Sequence, residues 1–205
     1  MKKKAIASVV IVVLVIACVL AGASCYVVNE DEHAVVTRFG KIVKVESEAG
    51  FKTKTPFVDK VTKYSKQILS WDGDAQRIPT RENQFIYVDP TSRWQIVDPA
   101  LFYETVNNVQ TAQLRLDDIL DSTIRTVISE NYLNEAVRST NRINSVEVVE
   151  EVSNVENVED AETLRSLTES TSQQETIKIG REGLSQQMLN LASSYTEQYG
   201  IKLVD

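Results

Sequence analysis

The chain has 205 residues, with 22 Lys and Arg against 29 Asp and Glu, a net charge of −7, one histidine and seven glycines. The charge is uneven: Ser145 to Glu175 holds nine acids and one base, so the rest of the chain sums to +1, and Lys2 to Lys4 alone supply +3. No basic face is left for nucleic acid, which excludes that class of partner.

From Ala5 to Val28 the sequence is free of charge. At about 1.5 Å per residue such a run crosses the roughly 30 Å hydrocarbon core of a bilayer as one transmembrane helix. Lys2 to Lys4 precede it and Asn29-Glu30-Asp31-Glu32 follow it, so the positive-inside rule puts the N-terminus in the cytoplasm and the remainder on the far side. A cleaved secretory signal also begins with lysines, but its apolar core is usually about 7 to 15 residues, and the longer run favours a retained anchor. Val15-Ile16-Ala17-Cys18 loosely matches a lipid-attachment box, which would make Cys18 the acylated residue; Val19, Leu20 and Ala21, however, continue the apolar run. Cys18 and Cys25 are the only cysteines, so the rest of the chain has neither a disulfide framework nor a thiolate metal site.

Beyond the anchor, His33–Phe39, Lys41–Glu46, Val58–Leu69 and Phe85–Val97 alternate or are β-branched and read as strands. Gly40, Gly50, Pro56 and Asp72-Gly73 punctuate them, predicting an antiparallel meander. Pro90 cannot donate to a ladder, which places Asp89-Pro90 at a bulge or on an edge, with Trp94 and Ile96 resuming the pattern. Leu116, Ile119, Leu120, Ile124, Val127 and Ile128 then recur at helical spacing, predicting an amphipathic helix over about Thr111 to Arg138. Leu184, Met188, Leu191, Ala192, Tyr195 and Tyr199 form a second stripe, closed by Gly200 as a C-cap. Both stripes read as core, with packing against a partner as the sharper reading. Between the two helices, Asn141 to Gln174 is rich in Glu, Asn, Ser and Thr, and its valines at 146, 149, 152, 155 and 158 have a spacing of three that builds no helical stripe. This reads as a flexible acidic insertion, or as an acidic strip for a basic partner surface.

The search for chemistry finds no catalytic residues, no cofactor-binding residues and no metal ligands. His33 stands alone, without an HExxH or a His/Cys cluster, and no nucleophile elbow, Walker loop or GxGxxG occurs. Asp117, Asp118 and Asp121 read as the solvated face of the first helix.

The ordered motifs resemble the Band 7 or SPFH family, the group of stomatins, prohibitins and flotillins, and most closely its outward-facing bacterial members. Val27-Val28-Asn29-Glu30-Asp31-Glu32 followed by Val35-Val36-Thr37-Arg38-Phe39-Gly40-Lys41 is the most specific stretch. Ala49-Gly50-Phe51-Lys52 and Thr55-Pro56-Phe57-Val58-Asp59-Lys60-Val61 are similar to the family's next segment, with departures at Ala49, Phe51 and Lys52. Val88-Asp89, Trp94-Gln95-Ile96, Asp98-Pro99 with Phe102-Tyr103, the helix Leu116 to Ser129 and Tyr199 to Asp205 complete the order, with Gln95 and Pro90 as further departures.

The resemblance implies an α+β fold: a transmembrane helix (5–28) after a short cytoplasmic start (1–4), then an SPFH domain of antiparallel sheet with packed helices (29–140 and 175–205), interrupted by the acidic insertion (141–174). It implies a non-enzymatic scaffold in the bacterial inner membrane, built with an HflK-like SPFH partner into a hetero-oligomeric ring or cage around an FtsH-like membrane AAA+ protease. Stomatin-like members would keep this domain in the cytoplasm, whereas the charges flanking the apolar run turn it outward. Apolar residues around Phe51, Phe57 and Val58 are candidates for touching lipid or a neighbour, against turn or core packing. A membrane-bound hydrolase and a generic exported binding module or lipoprotein are the rival readings. Members of the family continue past the equivalent of Asp205 into a long helical region, so stopping there is expected to leave the last strand's backbone groups unpaired.

Overall fold

The computed structural model describes residues 22–141 and 176–205, with isolated positions between 11 and 19. The acidic insertion and most of the apolar run lie outside the described residues. Among the described residues, no helix is long and apolar enough to cross a membrane. The run's last four residues correct the expected boundary: Cys25–Val28 form strand β1, paired antiparallel with β4 (Gly50–Thr53). Tyr26, Val27 and Val28 are aromatic or β-branched residues that suit a pleated, half-buried surface, and any membrane helix therefore ends before Cys25.

The chain divides into two compact units. The first comprises Met1–Asp72, Thr91–Leu116 and Ser193–Asp205. Its central sheet sets β2 (Glu32–Arg38) between β3 (Lys41–Glu46) and β5 (Asp59–Ser65), all antiparallel. Ala34, Val35, Val36 and Thr37 are all buried, as a strand covered on both faces requires. A second sheet orders β10 (Ile201–Leu203), β9 (Thr91–Ile96) and β6 (Leu69–Asp72). The expected run Val58–Leu69 thus breaks at Lys66–Ile68, where the chain leaves one sheet for the other. Strand β10 pairs with Ile96, Gln95 and Trp94, and the Val204 N–H donates to the Arg93 carbonyl at 2.7 Å, so the last strand is paired along one side and, among the described residues, stands open along the other as the outer strand of its sheet. Helix α1 (Pro99–Thr105) starts at Asp98, whose side chain accepts from the Ala100 and Leu101 N–H groups at 3.0 Å, with Pro99 in the first turn.

The second unit comprises Gly73–Pro90 and Asp117–Ala192. It holds the hairpin β7 (Gln76–Pro79) and β8 (Phe85–Val88) and most of helices α2 (Val109–Glu130) and α4 (Gly180–Thr196). The expected strand Phe85–Val97 is two strands in two sheets, because Pro90 ends the pairing: its carbonyl accepts from the Gly73 N–H while β9 pairs with β6 and β10. Among the described residues, four small antiparallel sheets therefore replace the expected meander.

Helix α2 buries Leu116, Leu120, Ile124, Val127 and Ile128, as the periodicity predicts. It begins two residues earlier than expected, capped by the Asn108 side chain on the Thr111 N–H at 2.8 Å. It also ends earlier, where Tyr132 is extended at ψ 154 and the Asn131 side chain donates to the Val127 carbonyl, so Leu133–Val137 form a separate short helix, α3. Helix α4 and the 3-10 turn Glu197–Tyr199 close at Gly200, in the left-handed region at φ 70. Leu184 and Ala192 are buried as expected, but Tyr195 is exposed and Thr196 takes the buried position.

Candidate functional site

The residues singled out for chemistry do not converge. Among the described residues no group of three His, Cys, Asp or Glu could hold a metal ion. The His33 Nδ1 lies 2.9 Å from the Ser47 hydroxyl. Burial lowers its pKa, Lys66 adds to the lowering, and the Ile96 backbone opposes both, which favours the neutral imidazole. That is a structural placement, since Lys66 itself ties the turns together by donating to the carbonyls of Glu30 and Ser47. Asp118 is exposed, as the helix pattern predicts. Asp121 departs from it: it lines a small recess with Gln76, Ile78, Val88, Pro90 and Ile124, and its buried Oδ1 has no hydrogen-bond partner among the described residues.

The feature that stands out is one end of the β3–β2–β5 sheet. Strand β2 pairs Arg38 with Lys41 on one side and with Asp59 on the other, which brings the Phe39-Gly40 turn and the Pro56-Phe57-Val58 turn to the same end. Phe39 is 88% and Phe57 90% exposed. Both backbones have positive φ, 49 and 67, a region that bulky L-residues avoid at a cost of about 1–2 kcal/mol. Folding alone would favour glycine or asparagine there, so two exposed phenylalanines in strained turns make this end the candidate site. Phe51, opposite Val27 in the β1–β4 pair, is 86% exposed, whereas Val58 is half-buried; core packing thus fails for both phenylalanines of that group, while Phe57 does sit in a turn.

The two turns are held by a clamp. The Arg38 guanidinium donates to both oxygens of Asp59, at 2.8 and 3.1 Å, and to the Thr55 hydroxyl at 2.8 Å. The Thr55 N–H donates to Asp59 Oδ2 at 2.7 Å and the Asp59 N–H returns to the Thr55 carbonyl. Arg38, and after it the Thr55 N–H, hold the Asp59 carboxyl well below the usual carboxylate range. Arg38 and Asp59, which sequence inspection registers only as motif letters, are therefore the residues that position Phe39 and Phe57.

The apolar run enters at this same end. Strand β1 starts at Cys25, opposite Thr53, and the Lys54 N–H donates to the Ser24 carbonyl at 2.7 Å, directly before the Pro56-Phe57-Val58 turn.

Residues 26–205 match the family model described as SPFH domain / Band 7 family, and the chain belongs to that family. Within it, the chain is similar to proteins of HflC type. The protein HflC of Treponema pallidum (strain Nichols) is 37% identical over 180 residues, 88% of this chain and 53% of that protein. HflC of Borreliella burgdorferi is 33% identical over 190 residues, again 88% and 53%. A protein of Escherichia coli (strain K12) named Modulator of FtsH protease HflC is 31% identical over 100 residues, 46% of this chain and 30% of that protein. The chain spans about half the length of the first two relatives.

Proposed function

We propose that the protein is a membrane-anchored, non-enzymatic SPFH scaffold subunit that modulates a membrane AAA+ protease of the FtsH type. The apolar run Ala5 to Ser24 serves as a single-pass anchor, the lysines before it stay in the cytoplasm, and the SPFH domain lies on the extracytoplasmic face of the inner membrane. The observation that carries this reading is the shared end of the first unit, where the apolar run joins β1 beside the exposed Phe39 and Phe57. A domain tethered there presents its apolar tips to the bilayer. The name of the Escherichia coli relative, Modulator of FtsH protease HflC, supports the protease connection.

Control would be exercised by assembly: copies of this chain and an HflK-like SPFH subunit form a hetero-oligomeric enclosure that limits which substrates reach the protease. Affinity capture of the full-length protein from gently solubilised membranes, read by mass spectrometry, is expected to recover a second SPFH protein and a membrane AAA+ protease. Recovery of neither would overturn the assignment.

A further inference from the structure

Three lysines surround the exposed phenylalanines, and among the described residues none of the three is in an ion pair. Lys41 follows the Phe39-Gly40 turn, Lys54 precedes the Pro56-Phe57-Val58 turn, and Lys60 follows the clamp residue Asp59. Lysines elsewhere on these strands are engaged: Lys44 and Lys52 both meet Glu46, Lys63 meets Glu32 at 2.7 Å, and Lys66 donates to backbone carbonyls.

The acids are distributed the other way. Glu30, Asp31 and Glu32 lie at the far end of β2, where Glu32 pairs with Ser65, and Glu46 and Glu48 lie at the far end of β3, where Glu46 pairs with Ala34. Asp59 is the one carboxylate in the two turns and the strand residues that flank them, and both its oxygens accept from Arg38. The end where the apolar run enters therefore combines two exposed aromatic tips with uncompensated positive charge.

We infer that this end is a docking surface for anionic phospholipid: Phe39 and Phe57 enter the headgroup–acyl boundary while Lys41, Lys54 and Lys60 contact headgroup phosphates. The inference rests on the membrane-facing placement proposed above and adds a lipid class to it. Apolar side chains ringed by basic residues bind bilayers through buried area plus attraction to anionic lipid, and each basic residue near such a surface adds measurably to that attraction. A zwitterionic bilayer offers the same phosphates but no net negative surface charge to attract the three ammonium groups, so the preference should be for anionic lipid. A protein partner could cover the phenylalanines, but the apolar run joins the domain at Ser24, beside Lys54 and the Pro56-Phe57-Val58 turn, which favours lipid.

The test uses the full-length chain carrying Phe57→Trp as a reporter, reconstituted in phosphatidylcholine vesicles that contain phosphatidylglycerol. Bromine atoms are placed on the acyl chains of one lipid or of the other at equal mole fraction. The two native tryptophans, Trp71 and Trp94, are buried and give a constant background, measured on the protein without the reporter. Brominated phosphatidylglycerol is expected to quench the reporter roughly twofold or more above brominated phosphatidylcholine. The preference should vanish in concentrated salt and in the triple variant Lys41→Gln, Lys54→Gln, Lys60→Gln. The salt arm needs no variant and stands even where the triple variant fails to fold. Equal quenching by the two lipids overturns the headgroup preference and leaves the membrane-facing placement intact. A blue-shifted reporter that neither lipid quenches means that protein covers the tip, and it overturns both.

Discussion

Replacing Gly200 by alanine is expected to remove about 3 kcal/mol of stability from the first unit and to lower the melting temperature by roughly 6–12 °C. Gly200 is buried at φ 70, and a Cβ there would stand well inside contact distance of the Asp98 carbonyl oxygen and 3.1 Å from the Phe102 nitrogen. The glycine backbone is also a junction: its N–H donates to the Glu197 carbonyl, and its own carbonyl accepts from the Val97 and Asp98 N–H groups at 3.0 and 3.2 Å. Backbone strain and overpacking therefore fall on the residue that joins the end of the 3-10 turn to the start of α1, and neither can relax without breaking a hydrogen bond. Thermal unfolding of the full-length protein in detergent measures the effect. A shift below about 2 °C would show that the turn gives way cheaply.

The second large effect is expected at Glu135. Its carboxylate is buried on α3 and accepts from three backbone N–H groups at the start of α4: Lys178 at 2.7 Å, Ile179 at 2.9 Å and Gly180 at 2.6 Å. It caps that helix from a residue more than forty positions away. Nearby, the Asn141 side chain pairs with both backbone groups of Ile177, and the Arg181 N–H donates to the Arg138 carbonyl at 2.9 Å. These contacts fasten the two flanks of the acidic segment to each other.

Glu135→Ala leaves those N–H groups without an acceptor, which is expected to cost about 3 kcal/mol and to raise hydrogen exchange at amides 178–180. Burial pushes the Glu135 carboxyl up, but the three N–H donors together pull it further down, so it sits below its ordinary value of 4.5. With the folded value below the unfolded one, the stabilisation is complete above 4.5 and is lost as pH falls through the folded value. The wild type should show this acid loss and the alanine variant should not. Unchanged exchange at 178–180 in the variant would contradict the capping role.

Periodicity made the two long helices legible, because their apolar stripes repeat at three and four residues regardless of what they pack against. The strands were harder. The short segments β1, β4 and β7 have no more than four residues each, too few for alternation to register, and β1 was absorbed into the apolar run because Tyr26, Val27 and Val28 are as hydrophobic as a membrane helix. The splits at Lys66–Ile68 and at Pro90 depend on which sheet each half joins, and that is a long-range fact. Pro90 carried a local warning that the ladder is interrupted there, and it proved to be a change of sheet.

At the site, Phe57 was visible as an apolar residue in a turn-rich stretch, whereas Phe39 was hidden inside a motif. The Arg38–Asp59 clamp joins residues 21 positions apart and could be seen only once β2 and β5 were in register.

As the proposed scaffold subunit, the protein would change what a membrane AAA+ protease degrades while cleaving nothing itself. The measurement that tests this most directly is the turnover of a membrane substrate by an FtsH-type protease, co-reconstituted in vesicles with and without the full-length protein and its HflK-like SPFH partner. Substrate half-life is expected to change when the two SPFH proteins are present, with no cleavage when the protease is left out. An unchanged half-life, or cleavage by the SPFH proteins alone, would contradict the account.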